Sequence, residues 1–342
     1  MIKKVSFLFM LLCLLKSSLS ICQPAQPTSG SAVVTPRMRV IVDNDFSGDP
    51  DGLFQLVHLL LSPSVEIRGI IGSHLRVDDG FDRSTTQADN AAKKAREVLQ
   101  IMDVKKNIPI LTGSNTGMTN DSTPVKSEAV NFIIQEALRT DTKQPLYIVC
   151  GAGLTEIASA VLTNPQIAGK LTLVWIGGSE YTDLALPPPN YSTPEYNLNI
   201  DISAARAIFN QSAIPIWQIP RNVYRQCLVS YAQLLTKVKP RGKVGSYLTG
   251  TLEAIMTRIQ RFINIGETYV LGDSPLVLLT ALQSSFEPDP SSSDYVVRQA
   301  PTINRTGTYE YSHKGRPIRV YTHVDTNLMF NDFFAKLELM NP

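Results

Sequence analysis

From Arg39 onward, short β-branched runs alternate with stretches of helical length and spacing, and this alternation constrains the fold more than any other feature of the chain. "RVIVDN" and "VEIRGIIGS" read as strands, with the helix "DGLFQLVHLLL" between them. A helix near 84–102, a strand "IPIL" and a helix near 125–139 follow. "PLYIVC" leads into the helix "LTEIASAVL" and then the strand "LTLVWIGG". The helix "ISAARAIF" precedes the strand "IPIWQI". Two more helices are expected near 244–263 and 274–284, and "RPIRVYTHVDTNLMFNDFFAKLELM" reads as strand then helix. This order predicts an α/β fold, a mostly parallel open sheet with helices on both faces. Sheets of this kind bind ligands outside the carboxyl ends of their strands. No internal repeat or sharp compositional break divides residues 39–342, which are expected to form one domain.

The first twenty residues, "MIKKVSFLFMLLCLLKSSLS", place two lysines, Lys3 and Lys4, before a short apolar core, with small residues at 18 and 20. They read as a secretory signal peptide over 1–20, too short in its apolar core to span a membrane comfortably. Residues 21–38, rich in Pro, Ser and Gly, read as a flexible leader. The expected location is secreted or periplasmic, with no membrane contact after signal removal. Lipidation at Cys22 is disfavoured by Ile21 before it. Removal of the signal would leave Cys22, Cys150 and Cys227, an irregular odd set that reads as isolated thiols rather than a disulfide framework. A net charge of +2 with 18% charged residues, and no basic stripe interleaved with aromatics, gives no sign of nucleic-acid binding.

"VIVDNDFSGDPDG" sets Asp43, Asp45, Asp49 and Asp51 at the seam between the first strand and the first helix. Asp49 suits an N-cap, Pro50 the first helical position, and Asp51 the first turn, where the helix dipole favours an anion. Capping does not account for Asp43 and Asp45, which lie two apart and are expected on the same side of the strand end. Carboxylates this close need a cation, or must take up protons. Oxygen ligands alone favour calcium or magnesium. A phosphatase-like alternative, with Asp43 as nucleophile and Asp45 as its acid partner, fits Phe46-Ser47 badly.

The same stretch resembles the opening D-x-D-P-G-x-D-D of the inosine–uridine-preferring nucleoside hydrolases, with one extra residue and without the Pro-Gly. Further along, "CGAGLTEIASAVLTNPQIAGKLTLVWIGG" is similar to the family's T-G-P-L-T-N segment and following strand, and "STPEYNLNIDISAARAIF" to its A-E-F-N-x-x-x-D-P-x-A-A. "GDSPLVLLTAL" is similar to its H-D-P-L-A segment except at the first residue, and "VYTHVDTNLMFNDFFAKL" to its closing strand and helix. The resemblance runs over roughly 39–340. It implies the nucleoside hydrolase fold, an open Rossmann-like sheet, and calcium-dependent hydrolysis of ribosides.

By that resemblance the calcium ligands would be Asp45, Asp51, the carbonyl of Gly151 and Asp273, with Asp43 and Asp49 as further candidates. Either Asp49 or Asp51 would take the bidentate role, the other facing the ribose. Glu195 and Asn197 would bind ribose hydroxyls together with Asp49 and Asp273, and Asn190 is a weaker candidate. Asp45 would be the general base toward a metal-activated water. Without the resemblance, Asp273 reads as an N-cap before Pro275, and "STPEYN" as a polar loop. The main departure is Gly272, where one large branch of the family has a His that assists the leaving group. His74, Tyr191, Arg221, Tyr224 and His313 are candidate substitutes for it, each more readily read as structural or surface-lying; His58 and His323 carry no role. The expected partner is a small-molecule riboside, and a homo-oligomer, dimer or tetramer, is compatible. The rival is a non-catalytic, calcium-dependent binder of ribosides or furanosides.

Overall fold

The structure, a computed structural model, describes residues 33–191, 194–284, 292–311 and 315–340. The expected signal peptide, most of the leader with Cys22, and His313 lie outside the described residues. Strands β1 (Met38–Asn44), β2 (Val65–Gly72), β3 (Ile110–Thr112), β4 (Leu146–Gly151), β5 (Leu171–Ile176) and β6 (Ile216–Ile219) follow the expected alternation. Two short antiparallel pairs stand apart from the main sheet. One joins β7 (Leu228–Ser230) to β8 (Thr268–Val270); the other joins β10 (Thr302–Ile303) to β11 (Tyr309–Glu310). Strand β9 (Asp294–Gln299) closes the edge of the main sheet antiparallel to β12 (Pro317–His323). The main sheet runs β3-β2-β1-β4-β5-β6-β12-β9, parallel except at that last pair.

Helices α1 (Asp51–Leu60), α2 (Gln87–Ile101), α3 (Glu128–Ala137) and α4 (Thr155–Thr163) fill the crossovers between the first five strands. Side chains that alternate along β1 enter two cores. Val40 and Val42 join Leu53, Leu56, Ala91, Ala95, Leu248 and Phe333 on one face. Ile41 joins Val130, Ile133, Ile157 and Ala204 on the other. Each such fully buried aliphatic side chain contributes roughly 1.5–3 kcal/mol. Both faces of β1 are covered, so its run is apolar throughout rather than alternating, as a central parallel strand requires.

The helix expected over 274–284 has only Pro275–Leu278 in regular form, and "ISAARAIF" turns from α-helical geometry at Ile202–Arg206 to a wider π turn over Ala207–Gln211. Chain connections run one way from β1 to β2 and the other way from β4 to β5, so the order reverses between β1 and β4. Asn44 and Gly151 are register partners at that reversal. A crevice at such a switch point is where open parallel sheets bind ligands.

Candidate active site

Beyond β1 the chain turns at once: the Gly48 N–H donates to the Asp45 carbonyl at 2.7 Å. Asp45 therefore lies past the end of the strand, and the two-residue alternation does not carry from Asp43 to it. Asp43 faces α4 instead. Its Oδ1 accepts from the Ser73 hydroxyl, which lies 3.2 Å from Glu156 Oε2. Asp43 is fully buried there and does not line the cavity described next, so the expectation that it shares a side with Asp45 is corrected.

A cavity of about 250 Å³ opens at the switch point. Asp45, Asp49, Asp51, Gly151, Glu195, Asn197, Gly272 and Asp273 line it, which brings together residues from across 228 positions of sequence. Helix α1 starts at Asp51 with Pro50 in the cap position and no side-chain cap, so the expected N-cap role of Asp49 and the place of Pro50 are corrected by one residue. Asp49 Oδ1 accepts from the Asp51 N–H at 3.2 Å just ahead of the helix, and Tyr269 Oη donates to both of its carboxylate oxygens at 3.1 and 3.0 Å. Asp51 Oδ1 accepts from the Gly52 N–H at 2.9 Å. Asp273 is not spent as a helix cap: no side chain caps the turn at Pro275, and Asp273 Oδ2 accepts from Asn44 Nδ2 at 2.8 Å. Residue 151 has no room for a side chain, since a Cβ there would come within 2.6 Å of Asn44 Nδ2 and of both Asp273 carboxylate oxygens.

Glu195 and Asn197 are held rigidly. Glu195 caps the short helix α5 (Tyr196–Ile200), its Oε2 accepting from the Leu198 N–H at 3.0 Å and the Gly178 N–H at 2.7 Å. Tyr224 Oη donates to Glu195 Oε1 at 2.9 Å. Asn197 Nδ2 donates to the Ile176 carbonyl at 2.8 Å. Groups fixed this way meet sugar hydroxyls without paying further ordering entropy. Asp201 has a structural role: it caps helix α6 (Ile202–Arg206) through the Ala204 N–H and accepts from Thr155 Oγ1 at 2.7 Å.

The carboxylates strain against one another. Burial, then Asp273, Asp49, Asp79 and Asp43, hold the Asp45 carboxyl well above the usual range. Burial, then Asp273, Asp49 and Asp45, do the same to Asp51. Burial lifts Asp49 to about 6 against the bonds from Asp51 and Tyr269. Burial lifts Asp273 to about 7, with Asn44 opposing. Charge of this density in a buried cavity is resolved by protons or by a cation. Asp45 Oδ2 and Asn44 Oδ1 are buried and have no hydrogen-bond partner among the described residues. The donor set, carboxylates with a carbonyl at Gly151, fits a hard divalent cation. Among the described residues no three His, Cys, Asp or Glu side chains already stand close enough together to hold one.

Of the substitutes for the missing His, Tyr224 lines the cavity and the other described ones do not. His74 is buried between the Leu75 carbonyl and Thr155 Oγ1. Arg221 is paired with Glu180 through Nε at 2.6 Å, and the Tyr191 ring lies 4.0 Å from its guanidinium carbon. Asn190 is exposed and takes no part in the cavity. The sequence reading missed Asn44, Phe81, Tyr196 and Arg225. Asn44 was visible between two aspartates in "DND" and Tyr196 between Glu195 and Asn197 in "PEYN"; Phe81 and Arg225 come from distant segments and carry no local signal. Cys150 and Cys227 are buried free thiols, as expected. No helix among the described residues is long and apolar enough to cross a membrane.

The sheet and the acidic cavity at its switch point define an open α/β fold with a candidate active site. The family model of the inosine-uridine preferring nucleoside hydrolases matches residues 40–331, and the chain belongs to that family, whose enzymes hydrolyse the N-glycosidic bond of nucleosides. Solved structures share the fold. A plant nucleoside hydrolase, PpNRh1, has a TM-score of 0.68 at 19% identity, covering 88% of this chain and 99% of its own. A purine-preferring ribonucleoside hydrolase from Gardnerella vaginalis has 0.67 at 19% identity, covering 89% and 99%. An inosine-uridine preferring nucleoside hydrolase from Bacillus anthracis has 0.63 at 20% identity, covering 88% and 99%. No curated protein matches the chain.

Proposed function

We propose that the protein is an exported, calcium-dependent N-ribosyl hydrolase acting on ribonucleosides or related ribosides. The observation that carries this reading is Asp45, which is buried, has an unpartnered Oδ2, and stands in one cavity with Asp49, Asp51, Asp273, Glu195 and Asn197. Asp45, Asp51, Asp273 and the Gly151 carbonyl would hold the ion, with Asp49 beside them. Bound there, the ion would neutralise the carboxylates and acidify a water molecule. Asp45 takes the proton of the attacking water. Glu195 and Asn197 hold the ribose hydroxyls, and the remaining carboxylates stabilise the positive charge that builds on the sugar as the bond to the base stretches. Export follows from the signal-like residues 1–20.

Gly272 supports a second reading, a calcium-dependent riboside binder that does not turn over, because no proton donor comes from that position. Turnover of inosine, uridine and a nitrophenyl riboside by the calcium-loaded protein separates the two. Hydrolysis of any of them, lost in Asp45→Asn, supports the enzyme. Ribose binding with no turnover of all three leaves the binder.

A further inference from the structure

Five carboxylates line the cavity, at Asp45, Asp49, Asp51, Asp273 and Glu195, and one lining residue, Arg225, is cationic. An arginine beside so much negative charge would ordinarily form a bidentate pair with it. Arg225 does not: among the described residues its guanidinium has no ion pair or hydrogen bond, and only its backbone N–H is engaged, donating to the Arg221 carbonyl at 3.2 Å. Arg225 is exposed at the rim, and the backbone that carries it is held. The turn before it, α7 (Arg221–Tyr224), is pinned at its start by Arg221 on Glu180 and at its end by Tyr224 on Glu195. Phe81 and Tyr196 add flat apolar surface to the same cavity, and the Arg258 guanidinium lies 5.5 Å from the centroid of the Phe81 ring. The same cavity thus presents carboxylates suited to a sugar together with aromatic rings and one guanidinium suited to a flat, electron-rich group.

Breaking an N-glycosidic bond sends the bonding electron pair to the nitrogen of the base. With no proton donor at residue 272 and the Tyr224 hydroxyl already donating to Glu195, negative charge builds on the base as the bond breaks. We propose that Arg225 receives the base and stabilises this negative charge, which makes it the group that assists the leaving base and fixes the substrates as ribosides whose base carries acceptor atoms. This inference rests on the hydrolase reading. The balance is simple. The C1′–N bond breaks with its pair going to nitrogen, water oxygen bonds to C1′, and the water proton goes to Asp45. The base anion, held by Arg225, takes a proton from solvent on release. Arg225 stays protonated throughout and acts by charge and hydrogen bonding, not as an acid.

The test compares wild type with Arg225→Ala and Arg225→Lys on uridine, inosine and a nitrophenyl riboside, reading kcat/KM against leaving-group pKa. In Arg225→Ala the loss should grow with that pKa, reaching on the order of 10²–10³-fold for the nucleosides, as for removal of one preorganised charge-stabilising donor, and only a few-fold for the nitrophenyl riboside. Added guanidinium ion should restore part of the nucleoside rate. Arg225→Lys should fall between wild type and Ala. An equal loss on all three substrates, or none, overturns the inference while leaving the hydrolase standing. A wild type that cleaves no riboside overturns the hydrolase reading and this inference with it.

Discussion

Tyr224 stands over Gly272: its Cδ2 lies 3.2 Å from the point a Cβ on residue 272 would occupy, with Asp51 Oδ2 equally near on another side. The space that a side chain at 272 would need is therefore already held by a phenol ring and a carboxylate. Gly272→His should not simply restore a proton donor. It should cost roughly 1–3 kcal/mol by overpacking and lower turnover by displacing Tyr224. Thermal melts and kcat for Gly272→His, with Gly272→His/Tyr224→Ala for comparison, check this. Full activity and an unchanged melting temperature in the single variant would contradict it.

Tyr224 also supports Glu195 through its hydroxyl. Tyr224→Phe keeps the ring over Gly272 and removes only that 2.9 Å bond. Loss of one such hydrogen bond to a carboxylate is worth about 1.5–3 kcal/mol at most. The expected outcome is a KM for ribosides raised by about tenfold, with little change in melting temperature. A KM equal to that of wild type would show that Glu195 is held well enough by the Gly178 and Leu198 N–H groups alone.

Calcium, if it binds the native cavity alone, stabilises by mass action, about 2.7 kcal/mol at one hundred times its dissociation constant. Chelation should lower the melting temperature by several degrees, and re-addition of Ca²⁺ should restore it. Asp273→Asn should weaken that response, because Asp273 faces both the cavity and Asn44. Metal analysis of the purified protein together with melts in chelator measures both effects. No bound divalent ion and no shift would remove the metal from the mechanism.

Asp45→Asn keeps the shape of the side chain but cannot accept a proton. It should retain a wild-type fold by circular dichroism and lose about 10²–10⁴-fold in kcat, the usual contribution of a positioned base. Unchanged turnover would assign the base elsewhere.

Much of the fold was readable because its signals are local. The β1 run and the α1 run each announce themselves within a dozen residues, and the acidic seam at 43–51 pointed to the cavity. Asp43 was misplaced because strand alternation was extended one residue too far; the strand ends at Asn44, a limit set by the turn closing on Gly48. Asp273 could not be separated from a helix cap by sequence, since the distinction lies in its bond to Asn44, 229 positions away. Phe81 and Arg225 were invisible for the same reason, since a loop and the end of a short helix supply them and only the tertiary fold brings them to one rim; Tyr196 stood between Glu195 and Asn197 in "PEYN" and was passed over. The antiparallel β9 at the sheet edge likewise depends on pairing with β12, not on any feature of its own six residues.

His58 gives the fold a pH dependence independent of the cavity. It lies on α1, buried, with Nε2 2.7 Å from Asp332 Oδ2 on the closing helix Thr326–Met340, and Lys336 and the Phe333 ring share the contact. Burial pushes the imidazole pKa down, and Lys336 adds to this; the Asp332 bond opposes both without reversing them. The neutral tautomer that donates from Nε2 suits this arrangement. Because the folded pKa lies below the unfolded value of about 6.5, the unfolded chain binds the proton more readily. Stability is then full above that value and declines as pH falls below it, by at most about 1.4 kcal/mol per pH unit for one proton. Asp332 has its own pKa lowered by His58 and Lys336, against burial, so it stays ionised through this window and does not contribute to the slope. The raised cavity carboxyls, Asp49 at about 6 and Asp273 at about 7, take up protons in the folded state over the same window and add a slope of opposite sign to wild type and variant alike. The His58 contribution is therefore read as a difference: on going from pH 7.5 to pH 5.5 the urea midpoint of wild type should drop relative to that of His58→Gln, which keeps a donor toward Asp332 but has no titrating ring. Equal slopes in the two proteins would assign the acid sensitivity to other groups.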